Sequence, residues 1–200
     1  MFLSRIAPMA LAAALVAPVA LAPASADAAT YSIDGAHTNV GFKIRHLAVS
    51  WVRGHFGQPS GTVTIDDAGN LTAIDVTIPV DSIDTDNAKR DGHLKSPDFF
   101  DVAKHPNIKF KSSKVTKNGD AFEVAGDLTM KGVTKPVTRT VTDLTGEVQG
   151  PQGPAKRGAS ATATINREDF GVDWNKPLDG GGVVVGKEVK IEIEVELNKG

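Results

Sequence analysis

The residues able to do chemistry in this 200-residue chain are few, and they form no recognisable catalytic set. All five histidines fall between positions 37 and 105, with His37, His46 and His55 nine residues apart. Imidazoles on neighbouring strands could converge on a metal ion, but this spacing matches no zinc signature, and His46 is in phase with apolar neighbours. Structural or rim histidines are therefore expected, with no metal and no cofactor. Ser, His and Asp are present without a G-x-S-x-G elbow, an S-x-x-K or an H-E-x-x-H. Asp84 with Asp86, and Glu192, Glu194 and Glu196, supply carboxylates, the last three on the polar side of an alternating run. No phosphate-cradling glycine motif occurs, and Gly180-Gly181-Gly182 reads as a turn. The absence of cysteine excludes disulfides, thiol catalysis and a CxxC zinc site. A formal charge of -2 with interspersed signs lacks the basic stripe that nucleic acid needs. The chain reads as no enzyme, with a hydrolase the weaker alternative.

What remains is apolar, and its period is two. After residue 26 there are 19 Val, 10 Ile and 16 Thr against 7 Leu, so β-branched residues dominate and the chain is mostly strand. Val40, Phe42, Ile44 and His46 alternate with Gly41, Lys43 and Arg45. Val63 and Ile65 do the same before a turn at Asp67-Ala68-Gly69-Asn70, and Ile74, Val76, Ile78 and Val80 after it. Ile108 and Phe110 begin another strand, and Asn118-Gly119 is a hairpin signal leading to Phe122 and Val124. Ala159 to Ile165 follows. The last strand is clearest: Val189, Ile191, Ile193, Val195 and Leu197 face one way, and Lys190, Glu192, Glu194, Glu196 and Asn198 the other.

Alternation stops from Asp81 to Asp101, with a short helical insert expected over about residues 85–101. Thr85 is the expected N-cap of a short helix through about Leu94, and Ser96-Pro97-Asp98 is a second helix start before Phe99-Phe100. Such an insert should cover a barrel end. Residues 150–158 read as a loop. Eight or so strands with short turns predict a closed barrel or a sandwich in one domain. An eight-stranded barrel either fills its interior with side chains or holds one small ligand. Periodicity points Phe42, Ile44, Ile78, Phe110, Ile191 and Ile193 inward. Trp51, Phe56 and Met130 are further lining candidates, with Phe99, Phe100, Phe170 and Trp174 near the mouth. His37, Asn39, Arg45 and His46 offer donors for a polar headgroup.

Residues 1–26 carry one charge, Arg5, and then an Ala/Leu/Val run closed by Ala24-Ser25-Ala26. This reads as a secretory signal cleaved before Asp27. A membrane anchor is the rival, since the run is long enough to span, but Pro8, Pro18 and Pro23 interrupt it. The expected product is residues 27–200, without stable membrane insertion.

Ordered motifs carry a resemblance over nearly all of that product. They are Ser32-Ile33-Asp34, His37-Thr38, Val40-x-Phe42, His46-Leu47, Gly54-x-Phe56 and Ser82-Ile83-x-Thr85. The most distinctive is His93-Leu94-Lys95-Ser96-x-Asp98-Phe99-Phe100-Asp101. Pro106-x-Ile108-x-Phe110-x-Ser112, Gly126-x-Leu128-Thr129-x-x-Gly132-Val133-Thr134-Lys135-Pro136-Val137 and Asn166-Arg167-x-Asp169-Phe170-Gly171 complete them. The sequence resembles the YceI-like family of bacterial periplasmic proteins, often called polyisoprenoid-binding proteins. Tyr31 stands where that family usually has Trp, Thr38 where Ser is commoner, and His105 where an aromatic often precedes the Pro. The resemblance implies an all-β, lipocalin-like, eight-stranded antiparallel β-barrel with a short helical insert. It also implies a periplasmic carrier of a long-chain amphiphile: a polyisoprenoid quinone, a prenyl phosphate or a fatty-acid amide. No catalytic residues come with it. An envelope-stress protein with a packed core is the alternative, and a homodimer is left open.

Overall fold

The computed structural model describes residues 28–200. The expected secretory segment, residues 1–26, lies outside the described residues. Twelve strands and one helix follow in order: β1 (Ala28–Ile33), β2 (Asn39–His46), β3 (Ser50–Phe56), β4 (Ser60–Asp66), β5 (Leu71–Pro79), β6 (Ile83–Asp84), α1 (Ala88–Lys95), β7 (Asn107–Asn118), β8 (Ala121–Met130), β9 (Val133–Thr142), β10 (Val148–Gln149), β11 (Ala155–Asn166) and β12 (Val185–Lys199).

Eight of these strands close into an antiparallel ring, in the order β11-β9-β8-β7-β5-β4-β1-β12, with β12 returning to β11. The long β12 makes closure possible. One edge pairs with β11 from Glu188 to Asn198, while the other pairs with β1 at Leu197 to Lys199 and with β2 from Val185 to Glu194. Strands β2, β3 and β6 thus form a wing that extends the wall beside β12. The alternation in β12 sets its faces, with Val189, Ile191, Ile193 and Val195 packed against the core and Leu197 buried in it. Hairpin chemistry sets the tightest turn, where Gly119 takes φ 62° between β7 and β8.

Five strands, β1, β3, β9 and the two-residue β6 and β10, arise where the residue pattern places none. In β9 the inward positions are Val137, Arg139 and Val141, so a charge falls where an apolar residue would announce the strand. The region expected as a loop at 150–158 is strand from Ala155 onward, because Ala155 and Lys156 pair with β10.

The insert also differs from expectation. Its helix is capped by Asn87, whose side chain accepts from the Arg90 N–H at 3.0 Å. Thr85 cannot cap it: its hydroxyl donates to Asp91 and accepts from Arg90, and Asp86 turns the chain at φ 59°. The second expected helix is a turn, in which the Ser96 carbonyl accepts from the Phe99 and Asp101 N–H groups. The insert still lays Leu94, Phe99 and Phe100 into the barrel end. Phe100 meets Phe56 of the wing edge-on, with ring centroids 5.9 Å apart.

Gly126 fixes how one large ring enters the interior. A Cβ there would press first on the Lys111 carbonyl oxygen of β7 and would lie 2.6 Å from Phe110 Cζ, so the absent side chain lets both the β7 backbone and the Phe110 ring lie close over β8. Gly126→Ala should therefore destabilise the barrel by about 1–3 kcal/mol, as overpacking does. Thermal unfolding checks this, and an unchanged melting temperature would show that the ring has free room to move.

Candidate functional site

Inward side chains from all around the wall leave a cavity of about 210 Å³. That is more than ten times the roughly 10–15 Å³ needed by one water, so this is a hollow rather than a packing defect. Phe42 and Ile44 line it from β2, Phe56 from β3, Ile78 from β5, Phe110 from β7, Met130 from β8, and Ile191 and Ile193 from β12. The ring of β11 contributes Ala159, Ala161 and Ala163, whose short side chains keep that wall far from the axis.

A second recess of about 220 Å³ adjoins the bore at the insert end, and the two share Phe42, Ile44, Leu94, Phe99 and Val185. Its other walls are Arg45, His46, Val52, Thr85, Arg90, His93, Trp174 and Val184. Phe99 and Trp174 lie 5.2 Å apart, and His93 stands edge-on to both at 5.0 Å. His93 Nε2 is 2.9 Å from the Asp98 carboxylate, which orients the imidazole. Arg90 donates to the Thr85 hydroxyl at 2.7 Å and to the Thr85 carbonyl, tying the helix to the strand before it.

The structure separates some residues that the sequence reading groups. Trp51 does not line the bore. It is on the opposite face of β3 from Val52 and Phe56, under the Arg45 guanidinium at 4.2 Å from its ring and near Lys190. Phe170 lines neither recess: it is buried in a short 3₁₀ turn that Gly171 closes at φ 70°. Beside it Arg167, also buried, donates to the carbonyls of Val172, Gly186 and Val185.

His37 and Asn39 do not join Arg45 and His46. Asn39 and His46 are the two ends of β2, about 23 Å apart at ~3.3 Å per residue. His37 instead faces Asp34 at 2.9 Å and Glu196 at 3.7 Å. Asp34, His37 and Glu196 are the three ligand-type groups that come together among the described residues. The Lys156 ammonium already sits there, 3.1 Å from Asp34 and 2.5 Å from Glu196, and neutralises the carboxylates.

Residue pattern does not mark Arg90 or His93, since the insert has no period to place them, and it reads Thr85 as a helix cap; His93 begins the most distinctive motif quoted above. Arg139 also escaped notice. It lines the bore, and burial pushes its guanidinium down to about 10. No carboxylate offsets that burial.

A closed antiparallel barrel with an apolar bore and polar side chains about the recess at its insert end defines a class of small-ligand-binding scaffold. The chain belongs to the YceI-like domain family, whose pattern matches residues 31–197. A UPF0312 protein of Staphylococcus aureus is 42% identical over 171 residues, covering 84% of this chain and 96% of that protein. One from Photorhabdus laumondii is 43% identical over 149 residues, covering 73% and 77%. Among solved structures, Campylobacter jejuni YceI is 34% identical with a TM-score of 0.65, covering 84% of this chain and 96% of its own. Burkholderia cenocepacia BcnA is 26% identical with a TM-score of 0.68, covering 82% and 98%. A Saccharophagus degradans polyisoprenoid-binding domain shares the fold at 16% identity and a TM-score of 0.61, covering 85% and 98%.

The Asp34 cluster has a checkable titration. A hydrogen bond to Asp34 raises the His37 pKa above its ordinary 6.5, and the same bond, with Lys156, lowers that of Asp34 below its ordinary 3.8. The raised His37 value stabilises the fold below pH 6.5, and this is lost as pH rises through the folded value. The lowered Asp34 value stabilises it above pH 3.8, and this is lost as pH falls. An NMR titration of His37 should give a midpoint above 6.5 that returns toward it in Asp34→Asn. An unshifted wild-type midpoint would contradict the pairing.

Proposed function

We propose that this protein binds a single long-chain amphiphilic lipid, isoprenoid or fatty-acyl, with its chain in the bore, and does so in the periplasm after export. The observation that carries the reading is the continuous apolar bore, since a core packed solid would leave no space of this size. Each methylene moved from water into it contributes about 0.8 kcal/mol, so even a modest chain supplies ample binding energy. The polyisoprenoid-binding neighbour from Saccharophagus degradans supports the ligand class, and the signal-like residues 1–26 support export.

Two features argue for carriage rather than chemistry or membrane insertion. Three of the four hydroxyls around the two recesses are engaged elsewhere: Thr85 with Asp91, Ser160 with Glu194, and Thr38 with the backbone of Glu196, so none of these three faces a histidine base. The outward face of β12 carries Lys190, Glu192 and Glu194, which no lipid-facing band would tolerate. The recess of Arg45, His46, Arg90 and His93 is then the polar rim through which the ligand passes.

Native mass spectrometry of protein purified from its own periplasm should show a co-purifying long-chain species. Ala161→Phe, which fills the bore from β11, should abolish that species while leaving the far-UV circular dichroism of the barrel. Consistently empty wild-type protein, or unchanged retention in Ala161→Phe, would reject the reading.

A further inference from the structure

Two arginines reach the barrel interior, and they differ in what they bind. Arg167 has three backbone carbonyls for its guanidinium. Arg139 has none: its Nε is buried without a hydrogen-bond partner, and burial is the sole cause of its displaced pKa, with no charge or hydrogen bond opposing it. Its one stabilising neighbour is the Phe110 ring, with Cζ 3.2 Å from the centroid. Gly126 provides the room for that ring, so the chain builds a platform for the cation and no counter-ion.

Arg139 is also far from the insert end. The β8–β9 turn is fixed at the insert end, where Lys131 donates to the carbonyls of Pro97 and Gly171. Arg139 lies six residues along β9 from Val133, about 20 Å of strand from that end. Its cross-strand partner, Val124, is completely buried. A lone cation in such a place is costly unless a ligand pairs with it.

Resting on the lipid-binding reading, we propose that the bore takes a long-chain carboxylic acid head-first, its carboxylate bound by the Arg139 fork and its hydrocarbon running toward Phe99 and Trp174. The planar guanidinium offers two parallel N–H donors, which match a carboxylate. Charge selects a monoanion: Arg167 is committed to backbone, so a diphosphate would bring more negative charge than Arg139 compensates.

Delipidated protein offered an equimolar mixture of palmitate and hexadecanol, read by native mass spectrometry, separates the possibilities. Wild type should favour palmitate by roughly 10- to 100-fold, the range of a hydrogen-bonded charge. Arg139→Met should bring that ratio close to one, and its ligand-free melting temperature should match or exceed that of wild type. Arg139→Lys should keep a reduced preference. Equal uptake of acid and alcohol by wild type, a measurement needing no variant, overturns the carboxylate assignment and leaves lipid binding standing. Loss of the preference in Arg45→Met in place of Arg139→Met moves the head to the rim and overturns it too. So does a preference for a prenyl diphosphate over palmitate. Uptake of neither probe, nor of any prenyl chain, rejects the lipid-binding reading itself.

Discussion

Closure through β12 is the constraint on which the rest of the molecule depends. Backbone N–H and C=O groups facing an apolar interior must all be paired, and an open sheet edge would leave a row of them unmet. Strand β12 solves this by serving two partners along one edge, β1 at its end and β2 along its earlier length, while β11 holds the other edge. With the ladder complete, the period of two becomes a radial sorting rule. Every second residue of each wall strand is delivered to the interior, whatever its type.

That rule explains both the hollow and its exception. Alanines on β11 lie beside the bulky residues of β12, their hydrogen-bonded neighbours, so that part of the wall stays low and space remains. The insert between β5 and β7 closes one end with Leu94, Phe99 and Phe100, and it is braced by the Thr85, Arg90 and Asp91 bonds. The same sorting carries Arg139 inward with Val137 and Val141. Register, once fixed by closure, does not release one residue to the solvent, so the cation stays inside over Phe110.

The readable parts of the sequence were those where one face is uniformly apolar and the other uniformly polar. Strand β12 is such a case, and so are β5 and the start of β7. Strand β9 was not legible because Arg139 occupies an inward position and threonines fill the outward ones, which removes the contrast that marks a strand. In β3 the contrast is interrupted once on each face: Gly54 faces in because Phe42 and Thr85 leave no room for a side chain, and Trp51 faces out. The helix cap was misplaced for a local reason, since Thr85 has the right chemistry but spends its hydroxyl on Asp91 and Arg90. Of the proposed contacts, residues on regular strands fell where alternation puts them. Those chosen by nearness in sequence, His37 and Asn39 with Arg45 and His46, were split because a strand separates its ends.

The most direct measurement is a crystal structure of the protein produced from the full 200-residue sequence and purified without organic extraction. The account predicts continuous chain-shaped density in the bore, within van der Waals distance, about 4 Å, of Phe42, Phe110 and Ile193. A bore whose side chains had closed on one another, leaving no room for even a short alkyl chain, would contradict it.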